Sequence, residues 1–182
     1  LTGFIDFARH TAEDVLRERA GAMSETLRHR GPDDDGVWVD ADAGVAMGFR
    51  RLSIIDLSDM GHQPMVSSSG RYVIVFNGEV YNFRELRDAL APAGARFTGS
   101  SDTEVILEAI QAWGLEAAAR RFVGMFAIAL WDREERTLHL VRDRIGVKPL
   151  YWGRQGNLLL FGSELKALRA HPDWRPKIDR DA

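Results

Sequence analysis

The sequence predicts an α+β domain built on antiparallel sheets. Three observations carry that reading: apolar strands near the start of the chain, amphipathic helices in its middle, and then adjacent period-two strands with no helix between them. The alternating strand-helix order of a parallel sheet is absent.

The elements follow in order. "LTGFIDF", Leu1 to Phe7, is an apolar opening strand. In "TAEDVLRERAGAMSETLRHRGPDD", Thr11 with Asp14 predicts a cap, Leu16, Ala20, Met23 and Leu27 recur at helical spacing, and Gly31 and Pro32 stop the helix. "GVWVD" and "AGVAMGFRRLSIID" read as strands, the second with Val45, Met47 and Phe49 on one face until the arginine pair interrupts it. "RYVIVF" is a strand buried on both sides, after which the chain is expected to turn at "NGE". Asn82 with Glu85, and Ser101 with Glu104, predict capped starts for two helices. The second of these places Val105, Ile106, Ala109, Ile110 and Trp113 on its inner face, and "LEAAARRF" adds a short third helix. "GMFAIALWD", "TLHLVRD", "PLYWG" and "NLLLFGS" are four strands expected to form one antiparallel meander. "SELKALRAHPDWRPKIDRDA" is a helix followed by a polar, Pro-punctuated tail.

Composition excludes several functions. A chain of 182 residues is about one domain and buries roughly 70% of its unfolded surface. Its 24 Lys+Arg against 27 Asp+Glu give a net charge of -3, and the arginines are scattered, which argues against a nucleic-acid partner. There is no Cys, so no disulfide, thiolate metal site or cysteine nucleophile lies within these residues. The apolar runs are short and the N-terminus lacks the order of a signal peptide, so a cytoplasmic chain without a membrane partner is expected. The five histidines, His10, His29, His62, His139 and His171, show no metal spacing, and no phosphate loop or GxSxG elbow is present.

The chemistry concentrates in "VIVFNGEVYNFRE". Asn77-Gly78 is either a hairpin signal or a pair of oxyanion donors at a strand end, with Glu79 beside it to orient an ammonium. Arg51, flanked by apolar sequence, either snorkels or grips a carboxylate with both guanidinium arms. Asp102 sits in the first turn of a helix, where the dipole favours any acid, or serves as a ligand. "RHRGPDDDG" and "VRDRIGVKPLYW" read equally as charged loops or as parts of a site mouth. The residues alone support a soluble α+β domain with Arg51, Asn77, Glu79 and Asp102 as candidate ligands for a small zwitterion.

"RHRGPDD", "RRLSIID", "GHQP", "FNGEVYNFRELR", "SDTEVILEA", "GMFAIALWD" and "RDRIGVKPLYW", in that order, closely resemble the glutaminase domain of glutamine-hydrolysing asparagine synthetases, a class II glutamine amidotransferase. The resemblance implies the N-terminal nucleophile (Ntn) hydrolase fold, a four-layer αββα sandwich of two antiparallel sheets, over residues 1–170, with 171–182 starting a linker. It further implies a nucleophilic Cys two residues ahead of Leu1, so that the chain as it stands is inactive. Asn77 and Gly78 then match the oxyanion hole. Arg51, Leu52, Ile54, Ile55, Asn77, Glu79 and Asp102 match the glutamine site, with Arg30 at the pocket edge.

Within this domain the resemblance implies no cofactor and no metal. It places ATP and Mg in a C-terminal synthetase domain of the same polypeptide, takes L-glutamine as substrate, and allows a homodimer. Two alternatives remain: a naturally non-catalytic domain like that of the β-lactam-forming synthetases, and, far weaker, Thr2 as an N-terminal nucleophile.

Overall fold

Alternation along the strands separates the apolar side chains into three layers, and these layers order the architecture. The computed structural model describes residues 1–52 and 61–176. One sheet has five strands in the order β2-β3-β1-β9-β8, formed by β1 (Thr2–Asp6), β2 (Asp34–Asp40), β3 (Val45–Arg51), β8 (Tyr151–Gln155) and β9 (Leu158–Gly162). The other has four in the order β4-β5-β6-β7, formed by β4 (Met65–Val66), β5 (Tyr72–Val80), β6 (Gly124–Asp132) and β7 (Thr137–Arg142). Every pairing is antiparallel.

Strand β5 shows how period two builds the layers. Val73 and Val75 enter the core between the sheets, with Val45, Met47 and Phe49 of β3 and with Phe161. Ile74 and Phe76 point the other way, into the core shared with α2 (Phe83–Leu90), α3 (Asp102–Trp113) and α4 (Leu115–Arg121). On the outer face of the five-stranded sheet, Leu16, Ala20 and Met23 of α1 (Glu13–Glu25) and Leu168 of α5 (Leu165–Arg169) pack on Phe4, Ala46 and Leu160. The result is the expected four-layer αββα sandwich.

Five local expectations give way to tertiary contacts. The chain does not turn at Asn77-Gly78-Glu79, because β5 runs on to Val80 and pairs residue for residue with Gly124–Ala127 of β6. Helix α1 ends at Glu25 rather than at Gly31, and a separate 3-10 turn, Arg28–Arg30, follows; Thr26 caps the end by donating its hydroxyl to Met23 O at 2.8 Å. Thr11 does not cap α1, since its hydroxyl donates to Asp6 Oδ2 at 2.6 Å. Asn82 makes no cap hydrogen bond either: its amide ties the α4–β6 junction by donating to Arg121 O at 3.0 Å and accepting from Val123 N at 3.0 Å. The four late strands are not one meander. β6 and β7 belong to the four-stranded sheet and β8 and β9 to the other, so the segment between Arg142 and Tyr151 crosses between sheets.

Other expectations hold. Ser101 accepts the Glu104 N–H at 3.3 Å at the start of α3, and both faces of β5 are buried. The packed chain runs on through Trp174, past residue 170: His171 is buried edge-on against Phe4, with 4.6 Å between centroids, and a Cβ on Gly153 would lie 2.6 Å from the Trp174 ring. No helix among the described residues is long and apolar enough to cross a membrane.

Phe161 is fully buried between the sheets. Phe161→Ala is expected to lower unfolding stability by about 3–5 kcal/mol in a urea titration, with an unchanged m-value.

Candidate active site

One edge of β5 organises the site. β6 covers the other edge along all nine residues, whereas β4 pairs only with Val73 and Ile74. Beyond β4 the edge N–H groups need other acceptors, since an unpaired buried amide is costly. The Phe76 N–H is taken by Gln63 Oε1 at 2.6 Å, and Gln63 Nε2 in turn donates to Thr103 Oγ1 of α3 at 3.2 Å. The Val80 N–H is taken by Asp102 Oδ2 at 3.1 Å. These two side-chain bridges clamp the strand end to the first turn of α3. Strand alternation aims the Gly78 N–H at the same edge, between the bridges.

A cavity of about 380 Å³ opens there. It is lined by Arg51, Leu52, Asn77, Gly78, Glu79 and Asp102, with Arg30 and Lys148 also on its wall. The described candidates, drawn from β3, β5, α3 and the 3-10 turn, thus meet in one place. Ile54 and Ile55 lie outside the described residues.

Each group has a distinct setting. Arg51 is buried at the end of β3, and its guanidinium rests on Gly61, where a Cβ would come within 2.1 Å of Nη2. Any side chain at position 61 would push that guanidinium away. Asn77 Nδ2 is buried with no hydrogen-bond partner among the described residues, which leaves a polar donor unused at the cavity. Gly78 is held between strands so closely that a Cβ would lie 2.1 Å from Met125 O. Burial drives the Asp102 carboxyl up to about 6, against hydrogen bonds from the Val80 and Thr103 backbone, and the nearby Glu79 charge adds to the rise. Two carboxylates side by side favour a cation between them.

Gln63, Gly61 and Lys148 received no role in the sequence reading, although "GHQP" and "RDRIGVKPLYW" contain them. Their parts are visible only in three dimensions. In the second motif, Asp143 accepts the N–H groups of Phe126, Val147 and Lys148 at 2.9–3.2 Å. Although burial alone would raise it, those bonds hold its carboxyl at about 2. Arg142 closes the same loop by donating to Lys148 O at 2.6 Å and Gly146 O at 2.5 Å, which fixes Lys148 beside the cavity. The loop is therefore both of the things its sequence allowed: a charged structural cluster and part of the site wall.

A sequence profile of the glutamine amidotransferase domain family matches residues 1–182. The chain belongs to that family. The amidotransferase domain is 39% identical over 182 residues to Asparagine synthetase (glutamine-hydrolyzing) 3 of Bacillus subtilis (strain 168), covering 99% of this chain and 29% of that protein. It is 43% identical over 156 residues to Asparagine synthetase (glutamine-hydrolyzing) 1 of the same organism, covering 86% of this chain and 23% of that protein. The chain thus spans less than a third of the length of these curated relatives. In structure it is similar to glutamine phosphoribosylpyrophosphate amidotransferase from B. subtilis, solved with ADP and GMP, with a TM-score of 0.76 at 20% identity over 93% of this chain and 42% of that one. That likeness fixes the fold as Ntn-hydrolase-type.

The raised Asp102 carboxyl has a direct consequence for stability. Between pH 4 and about 6 the folded amidotransferase domain holds a proton on Asp102 that the unfolded chain releases, so stability falls as pH rises through that window. Asp102→Asn is expected to remove this slope in urea titrations at pH 4, 5, 6 and 7.

Proposed function

We propose that this domain binds L-glutamine and hydrolyses its side-chain amide to glutamate and ammonia. The observation that carries the reading is the unused, buried Asn77 Nδ2 in a cavity that also holds a buried Arg and two adjacent acids. A zwitterion needs opposite charges for its two ends, and the reacting carbonyl needs donors placed before its charge develops. Arg51 grips the α-carboxylate, Glu79 and Asp102 hold the α-ammonium, and Asn77 Nδ2 with the Gly78 N–H receives the carbonyl oxygen.

The nucleophile in this reading is the thiol of a Cys two residues ahead of Leu1. Leu1 is buried, and its nitrogen is near enough to the cavity-lining Arg30 to feel that charge. Two extended residues span about 7 Å from there. The thiolate attacks the amide carbon, the oxyanion settles on Asn77 and Gly78, and ammonia leaves as the carbonyl re-forms in a thioester. Water then releases glutamate. The free α-amine of that Cys, with an ordinary pKa of about 8, carries the proton from thiol to leaving nitrogen.

The parent protein is proposed to pass the ammonia to a C-terminal synthetase domain, where ATP with Mg activates the acceptor carboxylate. The length of the relatives supports such a domain.

The test is glutamine binding and turnover. The chain beginning at Leu1 is expected to bind glutamine in calorimetry without hydrolysing it, and the chain with Cys-Gly ahead of Leu1 to release ammonia. No heat of binding from a folded protein would overturn the assignment. Asn77→Ala is expected to lower kcat by about 10²–10³ with little change in KM, and Arg51→Ala to raise KM. Glutamine pairs only with ionised Asp102, so binding expels its proton below about pH 6 and affinity weakens as pH falls through that value. Asp102→Asn binds weakly at every pH.

A further inference from the structure

Ser163 and Glu164, between β9 and α5, join two parts of the molecule that the glutamine site needs together. Ser163 brackets Leu1, the residue just ahead of β1: its N–H donates to Leu1 O at 2.9 Å, and its Oγ lies 3.2 Å from Leu1 N. Glu164, the next residue, receives Arg30 Nη1 on Oε1 at 3.0 Å. His29 Nε2 lies 3.0 Å from the same oxygen, and Lys166 Nζ is 3.1 Å from Oε2. One carboxylate therefore gathers three cationic or basic side chains. Of these only Arg30 and His29 line the cavity.

The arrangement is stronger than an exposed ion pair. Burial pushes the Glu164 carboxyl up, but hydrogen bonds from Arg30, Lys166 and His29 outweigh it and hold the group at about 2. The carboxylate stays charged throughout the working range. Its influence extends to the head of β1. At the Leu1 nitrogen the Arg30 charge disfavours a neighbouring cation and the Glu164 charge favours one. Arg30 and Glu164 thus act in opposite senses on whatever titrates at the opening of β1.

We propose that Glu164 is a positioning residue for glutamine hydrolysis, holding Arg30 at the cavity edge and offsetting its charge at the head of β1. This rests on the glutaminase reading above. Glu164 touches neither glutamine nor the reacting atoms; it acts through Arg30. Ser163 keeps the strand end in register with that pair.

The test uses the protein with Cys-Gly ahead of Leu1, comparing the parent, Glu164→Gln, Arg30→Gln and the double variant, with melting temperatures recorded for each. In Glu164→Gln, kcat for glutamine is expected to fall about tenfold while KM stays within about threefold. The acid limb of kcat/KM moves down by roughly 0.5–1 pH unit, because Arg30 is left unopposed. In Arg30→Gln it moves up, and in the double variant it falls between. A folded Glu164→Gln with the parent's kcat and an unmoved acid limb overturns the proposal. If Glu164→Gln does not fold, Glu164→Asp replaces it: the charge is withdrawn by one methylene, the limb moves down by less, and no movement is again fatal. A parent that neither binds nor hydrolyses glutamine refutes the glutaminase reading itself.

Discussion

Everything at the site depends on how the exposed edge of β5 is satisfied. A nine-residue strand with a two-residue neighbour leaves a row of backbone donors facing away from its own sheet. Gln63 and Asp102 each take one of them, and both also belong to the junction with α3: Gln63 through Thr103, Asp102 by residing on the helix. The gap between the two bridges is where Gly78 presents its N–H and Asn77 its amide. The cavity is thus a consequence of incomplete sheet pairing, closed at both ends by side chains and open in the middle.

That architecture explains why the chemistry was only partly legible. Period-two alternation in β3, β5 and β6 was strong enough to reveal the layers, because each face of those strands meets its own core. Arg51, Asn77, Glu79 and Asp102 stood out by residue type at element ends, and they do line one cavity. Asn-Gly misled as a turn signal: its usual meaning rests on local backbone preference, and β6 overrides that preference by pairing straight through it. Thr11 and Asn82 misled in the same way, since a better long-range or junction partner drew each side chain from its helix. Sheet membership of β8 and β9 was not readable at all. A short loop between neighbouring strands looks the same whether it closes a hairpin or steps to the opposite sheet.

The electrostatics of the cavity follow from burial as much as from charge. Asp102 and Asp143 are both buried acids, and they are driven in opposite directions. Asp143 has a full set of backbone donors and remains a carboxylate that shapes a loop. Asp102 has fewer and sits next to Glu79, and no ion pair of it is found among the described residues, so its charged form favours the arrival of something cationic. Such a group is costly to the fold and useful to a binding site. The same logic separates Gln63, whose polar atoms are spent internally, from Asn77, whose amide nitrogen is not.

Trp174 lies against Gly153, and His171 against Phe4, beyond the last helix. Anyone trimming this polypeptide at residue 170, the natural-looking stop after α5, would strip an indole from the flank of β8 and an imidazole from beneath the first strand. The hollow left would sit directly behind the first strand. Shortened versions of this domain therefore keep the packing behind the first strand and along β8 only when the cut falls downstream of the indole.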